Sequence, residues 1–123
     1  MTIVLIVEDD AFIREVAEMT IQDWGYGTLS AGSADEALAV LRSAQVVDAL
    51  FTDISLKTVA LGGCELARQA VDLRPGMRVL YTTGNYVTEK LRDQFVAGAQ
   101  CLRKPYLPQQ LQQSLKEILA AQS

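Results

Sequence analysis

Histidine is absent from this 123-residue chain, and the absence excludes a great deal of chemistry. Without an imidazole there is no Ser-His-Asp or Cys-His nucleophile, no histidine metal ligand and no histidine acid/base catalyst. Any chemistry must run on carboxylates, hydroxyls, lysine and metal. Cysteine is nearly as scarce: Cys64 and Cys101 are the two present, and they make neither a disulfide framework nor a zinc site. The expected compartment is therefore a reducing cytoplasm. Long apolar runs are missing too. The N-terminal stretch Ile3 to Val7 is short and has no basic region before it, so it reads as neither a signal peptide nor a membrane span. No Lys/Arg cluster interrupts a net charge of −4, which argues against a nucleic-acid surface. There is no repeat, low-complexity segment or linker. What remains is ordinary globular usage, 50% hydrophobic and 21% charged, in a chain long enough to bury one core.

Apolar runs and helical periodicities alternate along the whole chain. Ile3 to Val7 reads as a strand buried on both faces. Phe12, Val16, Met19 and Thr20 recur at helical spacing up to Trp24, and Gly25 closes that helix. A short strand around Thr28-Leu29-Ser30 follows. Ser33-Ala34-Asp35-Glu36 has the form of a capping box and opens a helix with Ala37, Leu38 and Leu41 inward. Ala49 to Thr52 is a third strand, ended by Asp53. Leu66, Ala67, Ala70 and Leu73 mark a third helix that stops before Pro75. Val79 to Thr82 is a fourth strand. Leu91 and Phe95 anchor a short fourth helix closed by Gly98. Cys101-Leu102-Arg103 is a brief strand leading to Lys104-Pro105. The last helix opens at Pro108, with Leu111, Leu115, Ile118 and Leu119 as its apolar stripe. Five βα units in succession predict an α/β fold with a doubly wound parallel sheet.

In such a sheet ligands bind at the carboxyl ends of the strands. Those ends carry Glu8-Asp9-Asp10 after the first strand, Asp53 after the third, Thr83 after the fourth and Lys104 after the fifth. An acid at a helix start is explained by the helix dipole, but three in a row go beyond that need. Two carboxylates about 4 Å apart repel by roughly 4 kcal/mol at an effective dielectric near 20, and a hard cation such as Mg²⁺ relieves the cost. The set suits acyl-phosphate chemistry. A carboxylate nucleophile, Asp53, attacks phosphorus, Mg²⁺ on the neighbouring acids neutralises phosphoryl oxygens, and the Thr83 hydroxyl and Lys104 ammonium take the rest. Such a transfer needs positioning and charge stabilisation rather than histidine on this chain.

The segments "VLIVEDD", "ALFTD", "VLYTTG" and "CLRKPY", in that order and spacing, resemble the receiver domain of two-component response regulators, such as the stand-alone chemotaxis regulator. The resemblance spans nearly the whole chain. It implies a flavodoxin-like (βα)5 fold with strand order 2-1-3-4-5, and Asp53 as phosphoacceptor. It implies Asp9 as a direct Mg²⁺ ligand, Glu8 acting largely through water, and the backbone carbonyl of Ser55 as a further ligand. Thr83 becomes the switch hydroxyl and Lys104 the phosphate partner, with a cis bond before Pro105. Asp10 falls outside the metal pair and serves the helix start. "YTTGNY" resembles a subgroup with Thr-Gly after the fourth strand, where Gly84 leaves space above the site. Ser55 and Asn85 occupy the positions that tune phosphate lifetime in the family.

Three departures stand out. Lys57 replaces a proline usual four residues after the phosphoacceptor, in a loop, Ile54 to Leu61, about two residues longer than usual; a more mobile loop is expected. Cys101 replaces the family's aromatic switch residue, so the output needs another lever, with Tyr86 and Tyr106 as candidates. Leu107 stands where a polar helix cap is usual. Both cysteines read as core packing rather than redox sensors, and Trp24 as packing.

The expectation is a single receiver domain over residues 1–123 without an output domain. It takes phosphate from a histidine kinase or histidine phosphotransfer protein and signals by protein contact through the face of helix 4, strand 5 and helix 5, with no nucleic acid and no membrane. It is not an enzyme beyond its own phosphotransfer and dephosphorylation. One alternative is a receiver-like adaptor that docks partners without phosphorylation. Another is a small aspartyl-phosphate phosphatase, whose D-x-D first-strand pattern "EDDAF" does not supply.

Overall fold

A computed structural model describes residues 1–56 and 59–120. Its elements run β1 (Ile3–Val7), α1 (Ala11–Asp23), β2 (Gly27–Ala31), α2 (Ala34–Arg42), β3 (Ala49–Asp53), α3 (Gly62–Leu73), β4 (Arg78–Thr83), α4 (Glu89–Arg92), β5 (Gln100–Arg103) and α5 (Pro108–Ala120). The strands form one sheet in the order β2-β1-β3-β4-β5, every neighbouring pair parallel. This is the expected flavodoxin-like arrangement. The central strands β1, β3 and β4 are buried on both faces because helices cover both, while the edge strands β2 and β5 are only half-buried. On one side Leu5, Val7, Leu50, Val79 and Tyr81 meet α2, α3 and the segment before β5. On the other, Val4, Ile6, Phe51 and Leu80 meet Ala17 and Ile21 of α1 and Leu111, Leu115 and Ile118 of α5. Leu50, Leu66 and Leu80 are essentially sealed from solvent, each contributing roughly 1.5–3 kcal/mol of burial. Among the described residues no helix is long and apolar enough to cross a membrane.

Local signals placed most boundaries. The Asp10 carboxylate accepts from the N–H groups of Phe12 and Ile13, so it caps α1 as expected. Trp24 caps the other end and Gly25 follows at φ 91°. Ser33 Oγ accepts from the Glu36 N–H, while Glu36 reaches back to the N–H of Gly32 rather than that of Ser33. Pro108 is the first residue of α5, and the N–H of Leu107 donates to Gln110 Oε1 at 2.7 Å. This is the reciprocal half of a capping box, the side chain inside the helix accepting from the N–H of the cap residue; Leu107 has no side-chain acceptor to supply the other half.

Two observations refine the sequence reading and one corrects it. Phe12, Val16 and Met19 do recur at helical spacing, but they face solvent; Ala17 and Ile21 are the buried residues of α1. Leu73 is likewise exposed at the end of α3. The fourth helix stops at Arg92, so Phe95 packs from a turn rather than from a helix. Lys57 lies outside the described residues. Leu56 and Val59 exchange two backbone hydrogen bonds.

Candidate functional site

The strand order reverses between β1 and β3, and a crevice opens there at the carboxyl edge. Glu8 follows β1 directly. Its N–H donates to the Ala31 carbonyl at 3.2 Å, and the Arg14 guanidinium donates to its own carbonyl at 2.8 Å. The side chain is thereby fixed and almost buried. Asp53 ends β3 directly opposite Thr82 of β4, its side chain 13% exposed. Gly63, at the start of α3, donates its N–H to Ile54 at 2.7 Å. A Cβ on Gly63 would stand 1.9 Å from the Asp53 carbonyl oxygen, so only glycine lets α3 close onto this strand end.

Lys104 arrives from the far edge. Its N–H donates to the Thr83 carbonyl at 2.8 Å, and its peptide bond to Pro105 is cis. The ammonium donates to Asp53 Oδ2 at 2.9 Å and to Glu8 Oε1 at 3.3 Å. One oxygen from each of Glu8, Asp9 and Asp53 lies within 4.8 Å of the others. A small cavity beside them, bounded by Glu8, Asp53 and Lys104 and by the apolar Ile13, Ala17 and Phe51, measures about 20 Å³, the size of one water.

The electrostatics follow from this crowding. Burial raises the Glu8 carboxyl above the usual carboxylate range, against the Asp10 N–H and the Lys104 charge that pull it down. Burial works against the Lys104 charge too, but the bond to Asp53 and the two carboxylates outweigh it and hold the ammonium above its ordinary range. Burial also raises the Tyr106 phenol. The hard oxygen donors of Glu8, Asp9 and Asp53, within 4.8 Å of one another, fit a divalent cation of the Mg²⁺ type.

Of the residues singled out from sequence, Glu8, Asp9, Asp53 and Lys104 therefore converge. Thr83 is buried at the end of β4, its hydroxyl accepting from the Asn85 N–H at 3.1 Å. Ser55 donates its hydroxyl to the Ala60 carbonyl within its own loop. The exposed Tyr86 ring lies under the Arg103 guanidinium at 3.8 Å. The sequence reading missed Arg14, whose position in the first turn after the acidic run was its one signal, and did not single out Gly63. Cys64 is buried and its thiol raised by burial; Cys101 is half-buried, with its thiol pushed up to about 11 by the same cause. Neither has the accessible, electropositive setting of a reactive thiol.

The fold and this crevice define a doubly wound α/β domain with a carboxylate–lysine cluster at its switch point. Residues 4–116 match the family model described as the response regulator receiver domain. The chain belongs to that family, whose members are signalling domains of two-component systems. It is 33% identical over 109 residues to the alginate biosynthesis transcriptional regulatory protein AlgB of Pseudomonas aeruginosa, covering 88% of this chain and 24% of that protein. The chain thus spans about a quarter of that relative's length. A CheY-like receiver domain protein from Methanospirillum hungatei superposes with a TM-score of 0.83 at 28% identity, over 97% of this chain and 94% of that one. The response regulator TrrA of Thermotoga maritima, in complex with Mg²⁺-BeF, shares the fold at a TM-score of 0.82 and 21% identity, over 97% and 100% of the two chains.

Proposed function

We propose that this chain is a phosphorylation-controlled receiver whose phosphoacceptor is Asp53. A phosphoryl group carried on a histidine of a sensor kinase or phosphotransfer protein passes to an Asp53 carboxylate oxygen. The new P–O bond forms as the partner's N–P bond breaks, and the electron pair stays on the imidazole nitrogen. The observation that carries the reading is the Lys104 ammonium, bonded to both Asp53 and Glu8 beside Asp9, in a chain with no histidine of its own. Lys104 orients the Asp53 carboxylate and then follows the phosphoryl charge. Thr83, one strand away, offers a hydroxyl donor to a phosphoryl oxygen. Glu8, Asp9, Asp53 and the Ser55 backbone carbonyl would hold Mg²⁺, which when bound supplies positive charge to the phosphoryl oxygens. The added charge of about −1.5 to −2 biases a two-state equilibrium read by a partner protein at the face of α4, β5 and α5. Two free thiols suit a reducing cytoplasm.

Acetyl phosphate and Mg²⁺ followed by intact-mass measurement tests this. The expected result is one phosphate on wild type and none on Asp53→Asn. No addition to wild type, or equal addition to the variant, overturns it. A phosphorylation-independent adaptor is favoured by Cys101 standing where the family carries an aromatic and by the altered sequence after Asp53, and it would bind its partner equally with and without beryllofluoride.

A further inference from the structure

Tyr81 precedes Thr83 by two residues on β4, so both side chains leave the same face of the strand. The register pairs Tyr81 with Cys101 on β5, the position at which the family resemblance asks for an aromatic ring. Tyr81 is fully buried, in the cluster that holds Cys64, Phe95, Val96 and Cys101. Its ring lies against Phe95 with centroids 4.5 Å apart, and its phenol oxygen accepts from the Val96 N–H at 3.2 Å. Phe95 and Val96 belong to the segment between α4 and β5. Tyr81 is thus tied at its base to the strand that carries Thr83 and at its tip to the segment leading into the proposed output face. A thiol at position 101 is small, and the Tyr81 ring packs in the same cluster beside it.

We infer that Tyr81 is the positioning residue that couples Thr83 to the segment between α4 and β5, the ring having its seat on β4 instead of β5. The inference rests on the reading of Asp53 as phosphoacceptor. The Thr83 hydroxyl now accepts from Asn85; a phosphoryl group on Asp53 gives it an acceptor to donate to and draws the end of β4 toward the crevice. A close-packed core passes such a shift on to its neighbours rather than absorbing it. The ring follows the strand, and the bond from Val96 to the phenol oxygen is the contact that yields. Burial pushes the phenol pKa up to about 12, so the group stays protonated at any working pH and the coupling is mechanical. A tyrosine that only filled the core would leave the response to phosphate intact when its hydroxyl is removed.

The test is hydrogen–deuterium exchange of the full chain, with and without acetyl phosphate and Mg²⁺, on wild type and Tyr81→Phe. Intact mass is read on the same samples. Wild type is expected to exchange several-fold faster across residues 93–99 when phosphorylated. Tyr81→Phe should exchange about five- to tenfold faster there without phosphate, as loss of one buried hydrogen bond implies, and respond less than twofold to it. Phosphate gain at Asp53 should be equal in the two proteins. An undiminished response in Tyr81→Phe, or no response in phosphorylated wild type, overturns the inference. Failure of wild type to gain phosphate at all is a separate result, and it removes the phosphoacceptor reading together with this one. Tyr81→Met, which keeps much of the volume without ring or hydroxyl, serves with the same outcomes should the phenylalanine variant not fold.

Discussion

Replacing Glu8 by Gln should make the protein more stable at neutral pH while weakening its hold on Mg²⁺. Glu8 has a carboxylate oxygen within 4.8 Å of one on Asp9 and one on Asp53, and the Lys104 ammonium at 3.3 Å. At an effective dielectric near 20 each like-charge neighbour costs roughly 3.5 kcal/mol, and the lysine returns roughly 5. The balance is a penalty of about 2 kcal/mol, which water entering the open side of the crevice reduces to about 1. Glutamine removes it and still accepts the Asp10 N–H that Glu8 accepts at 3.0 Å. The pH dependence has a definite sign. Burial raises the folded-state pKa of Glu8 above its ordinary 4.5, so the folded chain keeps this proton to higher pH than the unfolded chain does. Wild-type stability therefore falls as pH climbs from 4.5 through the folded value. Lys104, also raised, makes its contribution in full below its ordinary 10.5 and does not tilt this window. Urea unfolding near pH 8 should favour Glu8→Gln by about 1 kcal/mol, and the gap should close near pH 4. With Mg²⁺ added, wild type gains stability by mass action and the variant gains less. A variant less stable near pH 8 in metal-free buffer, or a gap independent of pH, would refute the reasoning.

Two further substitutions test the scaffold of the crevice. Gly63→Ala places a Cβ 1.9 Å from the Asp53 carbonyl oxygen; backbone rather than a flexible side chain must yield, so urea unfolding should show a loss of about 2–4 kcal/mol, and a loss below 0.5 would mean α3 docks with slack. Asp10→Ala removes the carboxylate that caps α1 and should cost about 1 kcal/mol by the same assay while leaving acetyl-phosphate labelling unchanged; a loss of labelling would assign Asp10 to the site itself.

The sheet was legible because its central strands are short buried runs and its elements are punctuated by caps and glycines, and those signals are local. The errors have a common physical source. Helical periodicity reveals a helix but not which stripe turns inward. In α1 the large residues Phe12, Val16 and Met19 made the visible stripe, while burial fell to Ala17 and Ile21. Leu91 and Phe95 are spaced like helix neighbours, yet the chain leaves the helix at Arg92 and Phe95 is held by the ring of Tyr81. That contact joins residues 14 apart and has no periodic signature. The crevice was legible for the opposite reason. Each of its acids and its lysine ends a strand, so strand order alone brings Lys104 to Glu8 across 96 residues. Arg14 was not, because it acts on a backbone carbonyl inside a helix turn and resembles any surface arginine. Lys57 offers no comparison, lying outside the described residues.

The bonds that hold the crevice in place are independent of the charges inside it. The ends of β1, β3 and β5 are pinned by Glu8 N–H to Ala31, Gly63 N–H to Ile54 and Lys104 N–H to Thr83, and Arg14 adds a clamp on the Glu8 carbonyl. All of these use backbone groups at one or both ends. The carboxylates are thus pressed together by the sheet and not by their own affinity, and their repulsion can be relieved only by something positive entering or by a proton. Lys104 provides part of that relief as a tethered cation, and a divalent ion would provide more. A crevice assembled in this order should keep its shape when a single carboxylate is neutralised. It follows that Asp53→Asn and Glu8→Gln should leave the frame intact and report on the charges held inside it, through stability as well as ligand and phosphate chemistry, while substitutions at Gly63 report on the frame itself.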